Sequence, residues 1–363
     1  MDEAAAMRRA LELAWHGWGR VAPNPLVGAV VLAGGQIVGE GWHAEYGEAH
    51  AEPVALASAG ERARGATLVV TLEPCAHAGK QPPCTDAIVS AGISRVVAAA
   101  ADPDPVARGG AEQLRAAGIE VETGLLACEA GRQNAAFLHH LRDTSRPYVA
   151  LKLATTLDGR IADAAGQSRW ISGPDARDYV QWLRAGFDAI GVGGRTARRD
   201  DSALTVRGPV APRIAPRRIV FDPRVELDPG QQLVRTAREV PTVVVAAPGI
   251  GGTRRGALEE AGVSILDAGD LRAALEALRA DGVRSLLIEG GGRLAGALLA
   301  GGLVDRFYWL QSPLWLGDRA VPAVAGLFPV PLERASRWHV VERRAFGEDT
   351  LLVVDRRPCS PAS

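Results

Sequence analysis

The chain has 363 residues, with 41 basic and 42 acidic side chains, a formal net charge of -1, and 47% hydrophobic against 23% charged residues. That balance excludes extensive disorder and gives no electrostatic reason to bind a phosphate backbone or an anionic membrane, so small polar molecules are the expected partners and nucleic acid is not. The length exceeds one ordinary domain and suits two of roughly 150 to 200 residues each. The opening MDEAAAMRRALELAWHG reads as a helix over 4–16. It is acidic and then amphipathic, unlike a secretory signal, and no run of about 18 apolar residues is present, so the expectation is a cytoplasmic protein that does not enter a membrane.

LVGAVVLAGGQIVGEGWH follows as two β-rich runs joined by a Gly-Gly turn, which predicts a hairpin. HAEPVALASAG reads as a helix, ATLVVTL as a buried strand, CTDAIVSAG as a helix closed by Gly92, RVVAAA as a strand, and residues 126–142 as one last helix. Continuous apolar strands alternating with helices predict an α/β layer architecture with a mostly parallel sheet. The polar segment 143–147, ending in proline, is the predicted boundary between a first domain, 1–145, and a second, 146–363. In the second, YVALKLATTLDGRIA is strand-like, RDYVQWLRAG helical, FDAIGVGG a strand, and RSLLIEGGGRLAGALLAGG a strand, glycine turn and helix. The proline-rich 208–217 predicts a surface loop, and RRPCSPAS a frayed tail.

The chemistry is written most clearly in the first domain. A hydrolytic zinc site needs three protein ligands, an open position for water, and a carboxylate beside that water which is not itself a ligand. His50-Ala51-Glu52 opens a predicted helix, Pro74-Cys75 follows a predicted strand, and Cys84 opens the next helix. His50, Cys75 and Cys84 are therefore the expected ligands of one zinc ion per chain, with Glu52 as the proton carrier. His-x-Glu followed by Pro-Cys is the signature of zinc deaminases, although a second cysteine two residues on is the usual spacing. A structural zinc would want a fourth ligand, for which His77 is the one obvious candidate. A nucleic-acid deaminase shares these motifs, but it would call for a basic, aromatic-lined rim and has no use for a second domain.

PNPLVGAVV, GEGWHAEYGEAHAE and TLEPCAHAGKQPPC resemble the bifunctional riboflavin-biosynthesis deaminase/reductase family, and the long Cys75 to Cys84 loop is that family's own spacing. The resemblance implies a cytidine-deaminase-like three-layer α/β/α first domain that removes the exocyclic amine of a diamino-hydroxy-pyrimidine carrying a phosphoribosylamino group. Water would attack the ring carbon while Glu52 moves its proton to the ring nitrogen and the departing amine. Asn24, His43, His77 and Lys80 match substrate positions, and His77 and Lys80 can donate to a phosphate.

In the second domain the glycine turn of LLIEGGGRLAGALL leaves a helix N-terminus open to a phosphate, and Gly290, Gly292 and Ala295 fit G-x-G-x-x-A. No acidic residue follows about 20 positions on, so a Rossmann dinucleotide fold is not supported. LKLATTLDGRIA, GQSRWISG, RRDDSALTVR and IEGGGRLAGALL instead resemble the reductase half of the same family. That implies a dihydrofolate-reductase-like α/β domain using NADPH to reduce the ribose to a ribityl chain. By the same resemblance Ala154, Trp170, Thr196, Asp200 and the turn Gly291, Gly292, Arg293, Leu294, Ala295, Gly296, Ala297 would contact the cofactor. Lys152, Ser168, Arg184, Leu204, Arg207 and Glu289 would line the substrate, with Arg184 and Arg207 as a clamp on its phosphate. Arg195, Arg199 and Ser202 depart from the family pattern, which leaves a deaminase with an altered reductase half as the alternative. A homo-oligomer is expected.

Overall fold

The computed structural model describes residues 1–143 and 145–358 and resolves into two compact units, Met1–Arg142 and Asp143–Pro358. In the first, the strands β1 (Gly28–Ala33), β2 (Gln36–Trp42), β3 (Thr67–Val70), β4 (Arg95–Ala98) and β5 (Glu120–Thr123) form one sheet in the order β2-β1-β3-β4-β5. The predicted hairpin is β1 and β2, and Gly34 and Gly35 turn it with φ of +57° and +75°, a region open to glycine at little cost. β1 is antiparallel to both β2 and β3, so only the β3, β4, β5 half is parallel. The hairpin thus makes the sheet less parallel than its apolar strands suggest.

Alternate residues of these strands feed two cores. One face, with Val31, Leu68, Val70 and Val96, packs on α2 (Ala51–Ala59), α3 (Cys84–Ser90) and α4 (Gly110–Ala116); the other, with Val30, Val69 and Val97, packs on α1 (Glu3–Ala14) and α5 (Ala127–Gln133). Helices on both faces make the three-layer α/β/α arrangement expected from the resemblance. The single helix read over 126–142 is in fact two, α5 and α6 (Ala135–Arg142), broken at Asn134. The cause is tertiary: the Asn134 side chain turns to accept from Leu26 N (2.8 Å) and donate to Leu26 O (2.9 Å).

The second unit runs β6 (Tyr148–Thr156), β7 (Arg160–Ala162), α7 (Pro174–Ala185), β8 (Ala189–Gly193), α8 (Gly194–Asp200), β9 (Arg217–Phe221), α9 (Gln232–Arg235), β10 (Thr242–Ala246), α10 (Thr253–Glu260) and β11 (Ser264–Asp267). It continues with α11 (Leu271–Ala280), β12 (Ser285–Ile288), α12 (Gly292–Ala300), β13 (Arg306–Ser312), β14 (Val321–Pro322), β15 (His339–Phe346) and β16 (Asp349–Asp355). Nine strands form one sheet in the order β11-β10-β9-β8-β12-β6-β13-β16-β15. Its first seven are parallel, and the β15/β16 hairpin closes it antiparallel. α11 and α12 cover one face, α8, α9 and α10 the other. Residues 208–216 carry no helix or strand, as their prolines predict, and the last five residues of the tail lie outside the described residues. Among the described residues no helix is long and apolar enough to cross a membrane.

Candidate active sites

Both candidate sites gather where chain leaves the carboxyl ends of parallel strands, the usual place for a ligand in an open α/β sheet. In the first unit, β3 delivers Cys75 through the turn 71–74. His50 is the N-cap of α2, yet its ring makes no capping bond and is free to face the sulfurs. Its Nδ1 lies 3.3 Å from Cys84 Sγ and 3.6 Å from Cys75 Sγ, and the three ligand atoms fall within 4.8 Å of one another. Cys84 is the first residue of α3, and its amide donates to Cys75 Sγ at 3.4 Å.

The electrostatics of the trio call for a cation. Hydrogen bonds from the Cys84 thiol, from His50 and from the Cys84 amide hold the Cys75 thiol well below its ordinary range, which favours the thiolate. The Cys84 thiol is pushed up because it donates to Cys75 and is buried. Two thiolates cannot share this pocket without positive charge between them, and two soft sulfurs with one imidazole are the donor set that zinc takes. His77, the candidate fourth ligand, is not part of the cluster.

Glu52, in the first turn of α2, is 3% exposed, and burial raises its carboxyl to about 7 while its side chain bonds the Cys84 thiol. A carboxyl poised near neutrality beside a metal pocket can take a proton and return it. His43 is fixed by its Nδ1 on Ala49 O (3.0 Å), its Nε2 meets Asn24 Nδ2 (3.1 Å), and its ring stands 5.4 Å from that of His50. The structure thus brings Asn24, His43, His50, Glu52, Cys75 and Cys84 together. His77 and Lys80 lie on the loop between the cysteines. The Lys80 ammonium sits 4.0 Å above the Tyr46 ring, and Gln81 donates to Gly47 O (3.0 Å), which folds that loop onto the 44–48 turn. Tyr46 has no signal in the sequence beyond its place in GEGWHAEYGEAHAE.

In the second unit Arg184 is not a surface residue. It is nearly buried and forks onto Glu289, Nε to Oε1 at 2.5 Å and Nη2 to Oε2 at 2.9 Å, with Nη1 donating to Thr205 O at 2.9 Å. Its guanidinium thus rests against a carboxylate, and Arg207 is exposed, its amide held by Gln181. Lys152, on β6, faces the same pair, and burial lowers its pKa. The Arg184 bond to Thr205 anchors the segment carrying buried Leu204, whose φ is +48°.

The glycine turn after β12 is a close-approach device. A Cβ on Gly291 would fall 2.6 Å from Thr196 Oγ1, so a glycine there lets α8 and the turn approach this closely. Gly291 caps α12 without a side-chain bond, so its first amides are free for a phosphate. Asp200 ends α8 with its carbonyl on Arg169 Nη2 (2.7 Å), and Trp170 is 67% exposed with Arg177 at 4.7 Å from its ring centre. Ala154 lies on β6 opposite Leu310, and Ser168 is half-buried. Arg195 is exposed, Ser202 is half-buried, and the Arg199 guanidinium lies over Gly166, where a Cβ would meet it at 1.8 Å.

Comparison with known proteins agrees with both halves. Residues 1–100 match the cytidine and deoxycytidylate deaminase zinc-binding region, and residues 147–352 match the RibD C-terminal domain. The chain is 40% identical to the riboflavin biosynthesis protein RibD of Aquifex aeolicus over 96% of this chain and 97% of that one, and 40% identical to that of Escherichia coli K12 over 97% and 99%. Among solved structures, Acinetobacter baumannii RibD superposes with a TM-score of 0.81 at 35% identity over 97% of this chain and 98% of that one. A deaminase/reductase from Thermotoga maritima superposes with a TM-score of 0.83 at 33% identity over 98% and 99%. The chain belongs to the bifunctional riboflavin-biosynthesis deaminase/reductase family, with a zinc-binding deaminase domain followed by a reductase domain.

Proposed function

We propose that residues 1–145 deaminate a diamino-hydroxy-pyrimidine bearing a phosphoribosylamino group, and that residues 146–363 reduce the ribose of the product to a ribityl chain with NADPH. The Thermotoga maritima relative is described as a diaminohydroxyphosphoribosylaminopyrimidine deaminase and 5-amino-6-(5-phosphoribosylamino)uracil reductase. The observation that carries the reading is the convergence of His50, Cys75 and Cys84 within 4.8 Å beside the buried carboxyl of Glu52.

His50, Cys75 and Cys84 would hold one zinc ion. When bound, zinc supplies the Lewis acidity that makes water a competent nucleophile near neutral pH. Glu52 takes the water proton and delivers it first to the ring nitrogen and then to the leaving amine, a cycle suited to a carboxyl near 7. Asn24 and His43 orient the pyrimidine edge, and His77 and Lys80 hold the phosphate end.

In the second domain NADPH, when bound, supplies the hydride. Residues 291–297, Thr196, Asp200, Trp170 and Ala154 would hold it. Ser168, Arg184, Leu204, Arg207 and Glu289 would position the sugar phosphate, with Arg184 also holding Glu289 and the 204–207 segment. Lys152, whose proton is loosened by burial, supplies the proton to the sugar oxygen. The net charge of -1 supports a small-molecule substrate over nucleic acid, and the absence of an apolar span supports a cytoplasmic setting. The exposed outer strand β15 offers an edge for a homo-oligomer.

One assay tests the pair of reactions: ammonia release and NADPH oxidation from the diamino substrate. Glu52→Gln is expected to lose ammonia release by about 10²- to 10⁴-fold, keep its zinc, and oxidise NADPH only when given deaminated substrate. Undiminished ammonia release in that variant would refute the role of Glu52. Absence of ammonia from the wild-type chain would refute the substrate.

A further inference from the structure

Glu73 stands two residues before Cys75 and has no part in the chemistry above, yet its carboxylate is buried and fully engaged with main chain. Oε2 accepts from the Asp102 amide at 3.0 Å, and Oε1 accepts from the amides of Gly109 (3.2 Å) and Ala111 (2.8 Å). All three donors belong to the connection between β4 and α4 and the first turn of that helix. The same segment touches the cysteine loop at further points. Ala76 N donates to Ala107 O at 3.3 Å, and a Cβ on Gly110 would fall 1.8 Å from Pro74 O, so the two backbones lie in direct contact. Next to the other cysteine, Thr85 Oγ1 donates to Gln113 Oε1, an exposed residue of α4, at 3.1 Å.

The two sulfurs are thus braced from outside by one segment: Glu73, Pro74 and Ala76 flank Cys75, and Thr85 follows Cys84. We infer that Glu73 is a positioning residue for the metal centre, fixing the main chain of Cys75 by gathering three amides of the 102–111 segment onto its carboxylate. This rests on the reading that His50, Cys75 and Cys84 hold a metal. The argument is one of tolerance. Metal–ligand distances are met to within about 0.2 Å, and a ligand two residues from an anchor moves when the anchor does. A glutamine is a poor substitute, because its amide group would turn a donor toward at least one of the three N–H groups.

Cobalt(II) titrated into the metal-stripped full-length chain is the probe, since its absorption bands respond to thiolate geometry. Glu73→Gln is expected to weaken cobalt binding by about 10- to 100-fold, as other outer partners of metal ligands do, and to shift the bands. In the zinc-loaded chain it lowers kcat for ammonia release more than it changes KM, with the far-UV circular dichroism of the full-length chain, read against wild type, as the control for folding. Gln113→Ala, at an exposed position, cuts the tie to Thr85 alone and produces a smaller shift in the same direction. Wild-type affinity and spectrum in both variants overturn the inference, even if their Tm falls. Should Glu73→Gln not fold, Glu73→Asp and Gln113→Ala decide it by the same readings. A wild-type chain that binds no cobalt overturns the metal reading itself, and the inference with it.

Discussion

Lys152, Arg184 and Glu289 put two cations and one anion in a nearly closed space. Burial works to raise the Glu289 carboxyl, and the Arg184 guanidinium outweighs it, so the carboxyl stays below its ordinary value of 4.5. Burial works against the charge of Arg184, and Glu289 restores it. Removing the anion strands both cations, and leaving a buried charge unpaired costs about 3–5 kcal/mol. Glu289→Gln is therefore expected to lower stability by that order at pH 7, measured by urea unfolding. The sign with pH follows from the lowered pKa. Stability from the pair is fully present above 4.5, the unfolded carboxyl value, and is lost as pH falls through the folded value, so the gap between wild type and variant narrows in acid. A gap that stays constant from pH 7 into acid would show that Glu289 titrates alike in the folded and unfolded chain and that the pair does not hold its pKa down. The pairing is not legible from local sequence: Arg184 falls on the apolar stripe of α7 with Ala176, Val180 and Leu183, but its partner lies 105 positions away. His50, Glu52, Cys75 and Cys84 were legible because metal ligation demands residue types that have few other reasons to occur in that order.

Elements whose ends are set by their own residues are readable, and elements set by distant contacts are not. The β1/β2 hairpin announces itself through Gly34-Gly35, and α3 through Gly92, whose φ is +70°. α4 ends in the same way at Gly118, whose φ is +84°, whereas β5, a largely exposed edge strand of sequence EVET, carries no such signal. The break between α5 and α6 is invisible for a different reason. Asn134 interrupts a good helix because it satisfies both backbone groups of Leu26, 108 residues away. Those groups are buried, and each left without a partner costs about 1–3 kcal/mol. Asn134→Ala is expected to destabilise the chain by about 2–4 kcal/mol on that basis, read as a drop in Tm. Leu26 lies two residues from Asn24, so the loosened segment should raise KM for ammonia release while kcat changes little. A variant whose KM and kcat are both unaltered would confine Asn134 to folding.

At the scale of the whole chain, each unit carries its own core and its own candidate chemistry, the first core on a five-stranded sheet and the second on a nine-stranded one. The proposed metal ligands, Glu52 and the proposed pyrimidine contacts all belong to the first unit, and the glycine turn, Lys152 and Glu289 all belong to the second. Two proposed sites that share a diffusing intermediate make a prediction about mixtures. Glu52→Gln is expected to remove the first reaction and Gly291→Ala the second, because a methyl group 2.6 Å from Thr196 Oγ1 would push α8 and the glycine turn apart where the cofactor is proposed to bind. Neither variant alone should oxidise NADPH from the diamino substrate. Together they should, after a lag while the Gly291→Ala chain releases deaminated product for the Glu52→Gln chain to reduce. Because that product travels through solution, the lag should shorten as the Gly291→Ala chain is raised at fixed Glu52→Gln, and a chelator that strips zinc should abolish the coupled rate without slowing reduction of added intermediate. A mixture that stays silent while each variant performs its own half-reaction would mean that the intermediate reaches the second site only within a single chain.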